Sequence, residues 1–337
     1  MRPRVKFLYT FGTNYTRYAS IAAFVAASMF PAAAQTSAYL APGTTVAADV
    51  GQPNDSVLTI KKRVDEVHVL FIATDRHGKF VRNLNEDDFA FLDDNKPPQS
   101  INNFLRETDL PLQLGLLIDT SGSVRGRFDF EQQAAVDFLQ HTLRTNYDKA
   151  FVMGFNTRSL VTQDFTDNVS LLSGGVNSLR SGGGTALYDA VYHACHDKFM
   201  KGSKDPADRP TRRAIIIVSD GEDNQSEVSK AQAIEMAERA EVIIYAISTD
   251  DSGLILRGDK VLQDLADATG GRAFFPFKMK DIKNSFSSIE TELRSQYVVS
   301  YLPADFDADG RYRSIEITAL KKDLQVRARK GYYAPRQ

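Results

Sequence analysis

The chain has 337 residues, 42% hydrophobic and 25% charged, which is enough apolar material for a packed core and excludes a disordered or fibrous class. Its 41 Lys and Arg stand against 43 Asp and Glu for a net charge of −2, so no basic excess argues for a nucleic-acid partner. The single cysteine, Cys195, excludes an intramolecular disulfide.

At the amino terminus Arg2, Arg4, Lys6 and Arg17 precede an apolar stretch at 19–30, and Ala32, Ala33 and Ala34 supply small side chains at a cleavage point near Ala34. This is the layout of a secretory signal peptide over residues 1–34. Its apolar core falls short of the ~20 residues of a membrane span. Removing those four basic residues takes away no acidic one and leaves 37 basic against 43 acidic, a balance of −6. The expected product is exported, periplasmic or secreted.

Residues 35–56, rich in Ala, Thr, Gly and Pro, read as a flexible lead-in. Short runs at 57–60, 67–73, 79–81, 86–89, 91–96 and 101–104, broken by turns such as Asp75 to Gly78, predict one part of a small β-sandwich over 57–107. From 108 to 294 strands and helices alternate, the pattern of a doubly wound, mostly parallel, Rossmann-like α/β sheet. Strands are expected at 112–118, 149–155, 214–219 and 242–247. Helices are expected at 128–143, 169–179, 186–199, 229–240, 259–269 and 281–294. After Ser295 the chain returns to β at 296–301, 312–320 and 324–328, the second part of the sandwich over 295–335. Strands of such a sheet run up to one edge and the helices run back down, so both crossings into the sandwich fall at the end opposite the strand tips. Only Ser295 separates the last helix from the strand after it on this reading. A downward helix shift would then pull on the sandwich.

The buried strand 112–118 runs into Asp119-Thr120-Ser121-Gly122-Ser123, which places three hard oxygen side chains, Asp119, Ser121 and Ser123, at the carboxyl edge of the sheet. Ligands gather at that edge in open α/β sheets, and hard oxygens suit a cation such as Mg²⁺. Ser181-Gly182-Gly183-Gly184-Thr185 adds a hydroxyl at a helix start, without the Lys-Ser/Thr ending of a phosphate-binding loop. The strand 214–219 delivers Asp220 to the same edge. Each piece alone also reads as a turn or a helix cap.

Together these pieces resemble the von Willebrand factor type A domain. Asp119, Ser121, Ser123, Thr185 and Asp220 match its metal-ion-dependent adhesion site. With its flanking β segments the order resembles the VWFA-related family first noted in acidobacteria. The resemblance implies a divalent cation, Mg²⁺ or Mn²⁺, with Ser121 and Ser123 as direct ligands. Thr185, Asp119 and Asp220 would ligate directly or through water. It implies a protein partner whose Asp or Glu carboxylate completes the shell, a rim that includes Leu187, Tyr188, Glu222 and Asp223, and a binding module rather than an enzyme. Two alternatives stay open: a metal-activated hydrolase, and a structural envelope protein with an idle metal site.

Other motifs read as structural. Asp305, Asp307, Asp309, Gly310 and Glu316 fit a calcium-loop spacing. A strand starting at Tyr312, however, carries Glu316 about 13 Å away, so the stretch reads as a hairpin turn and not as a Ca²⁺ site. Asp259 of Arg257-Gly258-Asp259 stands at a helix N-cap. His193, Cys195 and His196 share a helix without the further ligands a zinc site needs. The sequence shows no nucleophile elbow and no His-Glu-x-x-His.

Overall fold

The computed structural model describes residues 66–106, 110–201, 211–250, 252–276, 278 and 281–336. The signal peptide and its cleavage point, the lead-in, and the strand expected at 57–60 lie outside the described residues.

In chain order, β1 (Val67–Asp75), β2 (Phe89–Asp93) and β3 (Ser100–Leu105) come first, with a 3₁₀ turn at Glu86–Asp88. Then follow β4 (Leu112–Asp119), α1 (Phe128–Thr142), β5 (Lys149–Phe155), β6 (Ser159–Thr166), α2 (Val169–Ser178) and α3 (Leu187–His193). The single helix expected at 186–199 changes to a π-helix at Ala194–Met200. Next are β7 (Arg212–Ser219), α4 (Lys230–Arg239), β8 (Val242–Ser248), α5 (Arg257–Ala268), β9 (Ala273–Phe274) and α6 (Asp281–Leu293). The chain closes with β10 (Tyr297–Leu302), β11 (Tyr312–Ala319), β12 (Leu324–Ala328) and β13 (Gly331–Tyr333).

Six strands form one sheet in the order β6-β5-β4-β7-β8-β9. All neighbours are parallel except β5 and β6. Both faces are covered, as a parallel sheet requires. Along β4, Leu112, Leu114, Leu116 and Ile118 point into the core beneath α1, α2 and α6, and Leu117 points to the face beneath α3, α4 and α5. Gly115 makes room on that second face: a Cβ there would sit 2.6 Å from the Phe151 ring.

The flanking segments build two antiparallel sheets, β12-β1-β10-β3 and β13-β11-β2. They share a core of Val67, Val69, Phe71, Phe89, Phe91, Tyr297, Val299, Tyr301 and Tyr332, which makes them a β-sandwich. The chain is therefore a mixed α/β molecule, with a doubly wound sheet inserted between the two parts of a sandwich. Inside the sandwich the buried Arg313 guanidinium donates to Asp93 Oδ1 at 2.8 Å, and Tyr301 and Tyr332 donate to Asp93 Oδ2 at 2.9 and 3.0 Å. This network satisfies a buried charge with strong, charge-assisted bonds.

The inserted part is fastened at its base by Asp148. Its carboxylate accepts from the Leu112 amide at 2.9 Å, from the Arg144 amide and Nε at 3.0 Å, and from Arg294 at 2.8 Å. One side chain thus ties the start of β4 to the end of α6. The α6–β10 connector is Arg294, Ser295 and Gln296, two residues longer than the sequence suggests. It is pinned throughout: the Ser295 hydroxyl donates to Thr291 O at 2.7 Å and accepts from Arg82 at 2.9 Å, and Gln296 donates to the Tyr245 hydroxyl at 3.3 Å.

Candidate functional site

Five parallel strands of the large sheet end at one edge, and β4 and β7 are neighbours whose last residues are Asp119 and Ser219. Their adjacency brings Asp119 beside the loop that carries Asp220. Asp119 is fully buried; its Oδ1 accepts from the Ser121 amide at 2.8 Å and its Oδ2 from the Ser219 hydroxyl at 2.6 Å. The turn that follows carries the other oxygens. Ser121 Oγ lies 3.0 Å from Ser123 Oγ, and the Ser123 hydroxyl donates to Asp220 Oδ2 at 2.6 Å. Ser121, Ser123 and Asp220 therefore form one hydrogen-bonded chain of oxygens, and Asp119 joins it through the Ser121 amide.

Thr185 is buried on the adjoining loop. Its hydrogen bonds run through its backbone: the amide donates to Asn224 Oδ1 at 3.0 Å, and the carbonyl accepts from the Asn224 and Gln225 amides at 3.0 Å. The two loops are stitched together by Gly122 N–H to Gly183 O at 3.0 Å and Gly182 N–H to Thr120 O at 2.6 Å. Glycine is required there, since Gly182 and Gly183 hold φ of 154° and 95°.

Burial runs in one direction through the site. Asp119, Ser121 and Thr185 are buried, Asp220 is half-buried, and Ser123 is exposed. Burial pushes the Asp119 carboxyl up to about 6; the bonds from Ser219 and Ser121 oppose this, and the Asp220 charge adds to it. A cation on the open side would reverse that push. The donor set fits such an ion. Mg²⁺ binds oxygens at 2.0–2.1 Å in an octahedron, so neighbouring ligand oxygens lie about 3 Å apart, close to the serine–serine and serine–aspartate separations found. Among the described residues no three His, Cys, Asp or Glu side chains converge into a metal site, and the donors here are two carboxylates with hydroxyls.

Three residues that matter here were not read from the sequence. Ser219 is the polar last residue of an otherwise apolar strand, and that break in pattern was the available signal. Glu131 lies on the buried stripe of α1. Neither of its carboxylate oxygens has a hydrogen-bond partner, and Arg127 Nε is 3.8 Å away. Burial raises this carboxyl to about 8, against the pull of Arg127 and with reinforcement from Asp119 and Asp220. Asn224 holds the Thr185 backbone from both sides and had no sequence signal.

Of the expected rim, Glu222 is exposed and Tyr188 half-buried, whereas Leu187 is fully buried in the core under α3. Asp223 faces inward, accepting from the Tyr188 amide at 3.2 Å and the Ser226 hydroxyl at 2.6 Å. Asp259 is not an N-cap: α5 starts at Arg257, and the buried Asp259 accepts the Leu256 amide at 2.8 Å from the third helical position. Asp305 is taken up by Lys96 at 2.5 Å and Arg313 at 3.2 Å, and Asp309 by Arg311. That loop is also no hairpin, because β10 and β11 belong to different sheets. His193 and His196 both lean on Asp197, at 3.4 and 2.8 Å, while Cys195 is buried.

Residues 114–222 match the family model of the von Willebrand factor type A domain. No curated protein matches the chain. Among solved structures, proximal thread matrix protein 1 from the mussel byssus is 14% identical over 56% of this chain and 47% of that one, with a TM-score of 0.45. The same protein with a zinc-occupied MIDAS motif is 14% identical over 59% and 48%, at 0.46. A von Willebrand factor type A protein from Catenulispora acidiphila is 11% identical over 81% and 74%, at 0.47. The chain spans about half the length of the mussel structures it matches. No helix among the described residues is long and apolar enough to cross a membrane. The chain carries a von Willebrand factor type A domain.

Proposed function

We propose that this domain binds one divalent cation, Mg²⁺ or Mn²⁺, through Asp119, Ser121, Ser123, Thr185 and Asp220, and uses it to capture an Asp or Glu carboxylate of a protein partner. The observation that carries the reading is the run of side-chain oxygens Ser121, Ser123 and Asp220, 3.0 and 2.6 Å apart, with the Asp119 carboxylate fixed against the Ser121 amide at 2.8 Å. The cation would supply an electrophilic centre for an incoming oxygen. The chain's own residues decide which way that centre faces. The Asp119 carboxylate sits at the closed end, and the neutral Ser123 hydroxyl sits at the open end. One carboxylate is thus behind the ion and the other, Asp220, is beside it, so the face left for a partner carries the neutral Ser123 hydroxyl.

The binding reading is favoured over hydrolysis by where the histidines are. His68 bonds Ser300, His77 bonds Arg76, His141 bonds the Asp137 carbonyl, and His193 and His196 flank Asp197. None contacts the oxygen cluster to serve as its acid or base. We further propose that the protein is exported after cleavage near Ala34, which mass spectrometry of the mature amino terminus would read directly. The functional test is calorimetry with Mn²⁺ and Mg²⁺ on the wild type, Asp119→Ala and Ser123→Ala, joined to a pull-down from the envelope fraction with and without EDTA. One-site binding that both substitutions weaken, and capture that EDTA abolishes, is the expected result. Equal affinity in all three proteins would end the adhesion-site reading.

A further inference from the structure

Ten large hydrophobic side chains are exposed among the described residues, and three of them are consecutive: Leu254, Ile255 and Leu256, at 67%, 51% and 43%. They form the crest of the β8–α5 loop, and both feet of that loop stand on the cation-site strand. At one foot the Thr249 amide donates to the Ser219 carbonyl at 3.0 Å, next to the hydroxyl that holds Asp119. At the other, Gly258 is pressed against Asp220: a Cβ on Gly258 would lie 2.1 Å from the Asp220 carbonyl oxygen, and one on Gly221 2.2 Å from the Gly258 carbonyl oxygen. Leu256 is two residues before Gly258, so its backbone is within about 7 Å of that contact.

The crest is held in shape from within. Asp250 accepts from the Ser252 amide at 3.2 Å and the Ser252 hydroxyl at 2.5 Å, the Leu254 amide donates to Ser252 Oγ at 3.2 Å, and the Leu256 amide donates to Asp259 at 2.8 Å. The amides of Ser252, Leu254 and Leu256 are thus held by nearby side chains, while three apolar side chains are left in water. A contiguous exposed apolar patch beside a polar site is the mark of an interaction surface. Asp220 and Glu222 on the neighbouring loop and Asp250 at the foot of the crest are acidic, and the exposed Arg257 and Lys260 follow the crest directly. A carboxylate held by a cation beside Asp220 would bring its apolar neighbours to the crest.

We infer that Leu254, Ile255 and Leu256 form an apolar docking ridge beside the cation site, and that the partner is a polypeptide whose capturing Asp or Glu is flanked by bulky aliphatic side chains. The inference rests on the cation-dependent reading above and names the partner chemistry that reading leaves open. Each methylene group buried is worth roughly a fourfold gain in affinity.

The test uses fluorescently labelled pentapeptides with Mn²⁺: Leu-Leu-Asp-Leu-Leu, Ser-Ser-Asp-Ser-Ser and Leu-Leu-Asn-Leu-Leu, titrated with the full chain and with a Leu254→Ser/Ile255→Ser variant. Mn²⁺ affinity is measured on both proteins. The wild type is expected to bind the leucine-flanked Asp peptide at least about tenfold more tightly than the serine-flanked one. That preference should collapse to near unity in the variant, and the Asn peptide should bind neither protein. Equal binding of the two Asp peptides by the wild type, a preference kept by the variant, or binding of the Asn peptide would each overturn the ridge while leaving the cation site standing. Failure of the wild type to bind Mn²⁺ would overturn the cation reading, and the ridge with it.

Discussion

The Ser219 hydroxyl donates to Asp119 Oδ2 at 2.6 Å, so the last residue of β7 holds the last residue of β4. This bond favours the ionised form of a carboxyl that burial raises to about 6. Ser219→Ala removes it, and hydrogen bonds to charged groups are worth about 1.5–3 kcal/mol. Mn²⁺ affinity at neutral pH should fall by about an order of magnitude, and the loss should be smaller at pH 8, where a larger share of the variant's Asp119 is ionised. Calorimetry at the two pH values checks this; a loss independent of pH would show that Ser219 acts otherwise.

Glu131 gives a pH dependence of stability in the cation-free protein. Its ordinary value is 4.5 and its folded value about 8. Below 4.5 folded and unfolded chains both hold the proton. Between 4.5 and 8 the unfolded chain releases it and the folded chain does not, so stability falls as pH rises through that window. Glu131→Gln lacks this loss. In denaturant titrations with EDTA, the variant should match the wild type near pH 4.5 and exceed it by a few kcal/mol near pH 8. Parallel curves would mean that Glu131 is charged in the folded state.

Asp148 behaves in the opposite sense. Burial would raise its carboxyl, but the bonds from Arg144, Arg294 and the Leu112 and Arg144 amides outweigh that and hold it at about 2, against an ordinary 3.8. The stability this contributes is present above 3.8 and is lost as pH falls towards 2, about 2 kcal/mol in all. Asp148→Asn should be less stable than the wild type at pH 7, with the gap closing on acidification. A gap that stays constant down to pH 2 would refute the assignment.

Gly258 lets α5 touch the Asp220 loop. A methyl group 2.1 Å from the Asp220 carbonyl oxygen cannot be accommodated without moving one backbone from the other. Gly258→Ala should therefore weaken Mn²⁺ binding by at least about tenfold, with a smaller effect on thermal stability. The same affinity as the wild type would show that Asp220 tolerates the shift.

Much of the fold was legible because periodicity and site chemistry agree. The apolar run into Asp119 and the one into Asp220 are strands buried on both faces, and their polar ends fall where such sheets bind ligands. Lys149–Phe155 and Leu324–Ala328 have the bounds expected from pattern alone. What was not legible depends on three-dimensional neighbours. The change to a π-helix at Ala194 and the start of α5 at Arg257 leave the apolar spacing almost unaltered. Leu187 looks like a rim residue because it follows Thr185 in sequence, yet the first turn of α3 rotates it into the core. Ser219 and Glu131 are single polar residues on apolar faces, and only the folded sheet reveals that both lie near Asp119.

The pairing of β3 with β10 gives the insertion a particular meaning. Leu105, the last residue of β3, lies opposite Val298, the second residue of β10, in an antiparallel ladder. These two strands are the arms of a hairpin, and the entire type A domain occupies the place of its turn. A short type I′ turn of Asn-Gly character, such as joins ordinary hairpins, could close the arms over the few ångströms that separate them. The sandwich is thus closed across the hairpin by its own ladder, with the doubly wound sheet standing in place of a turn. A shift of the last helix would bear on one arm of the hairpin through Arg294, Ser295 and Gln296, each held by hydrogen bonds, and would shear one ladder pair against the next.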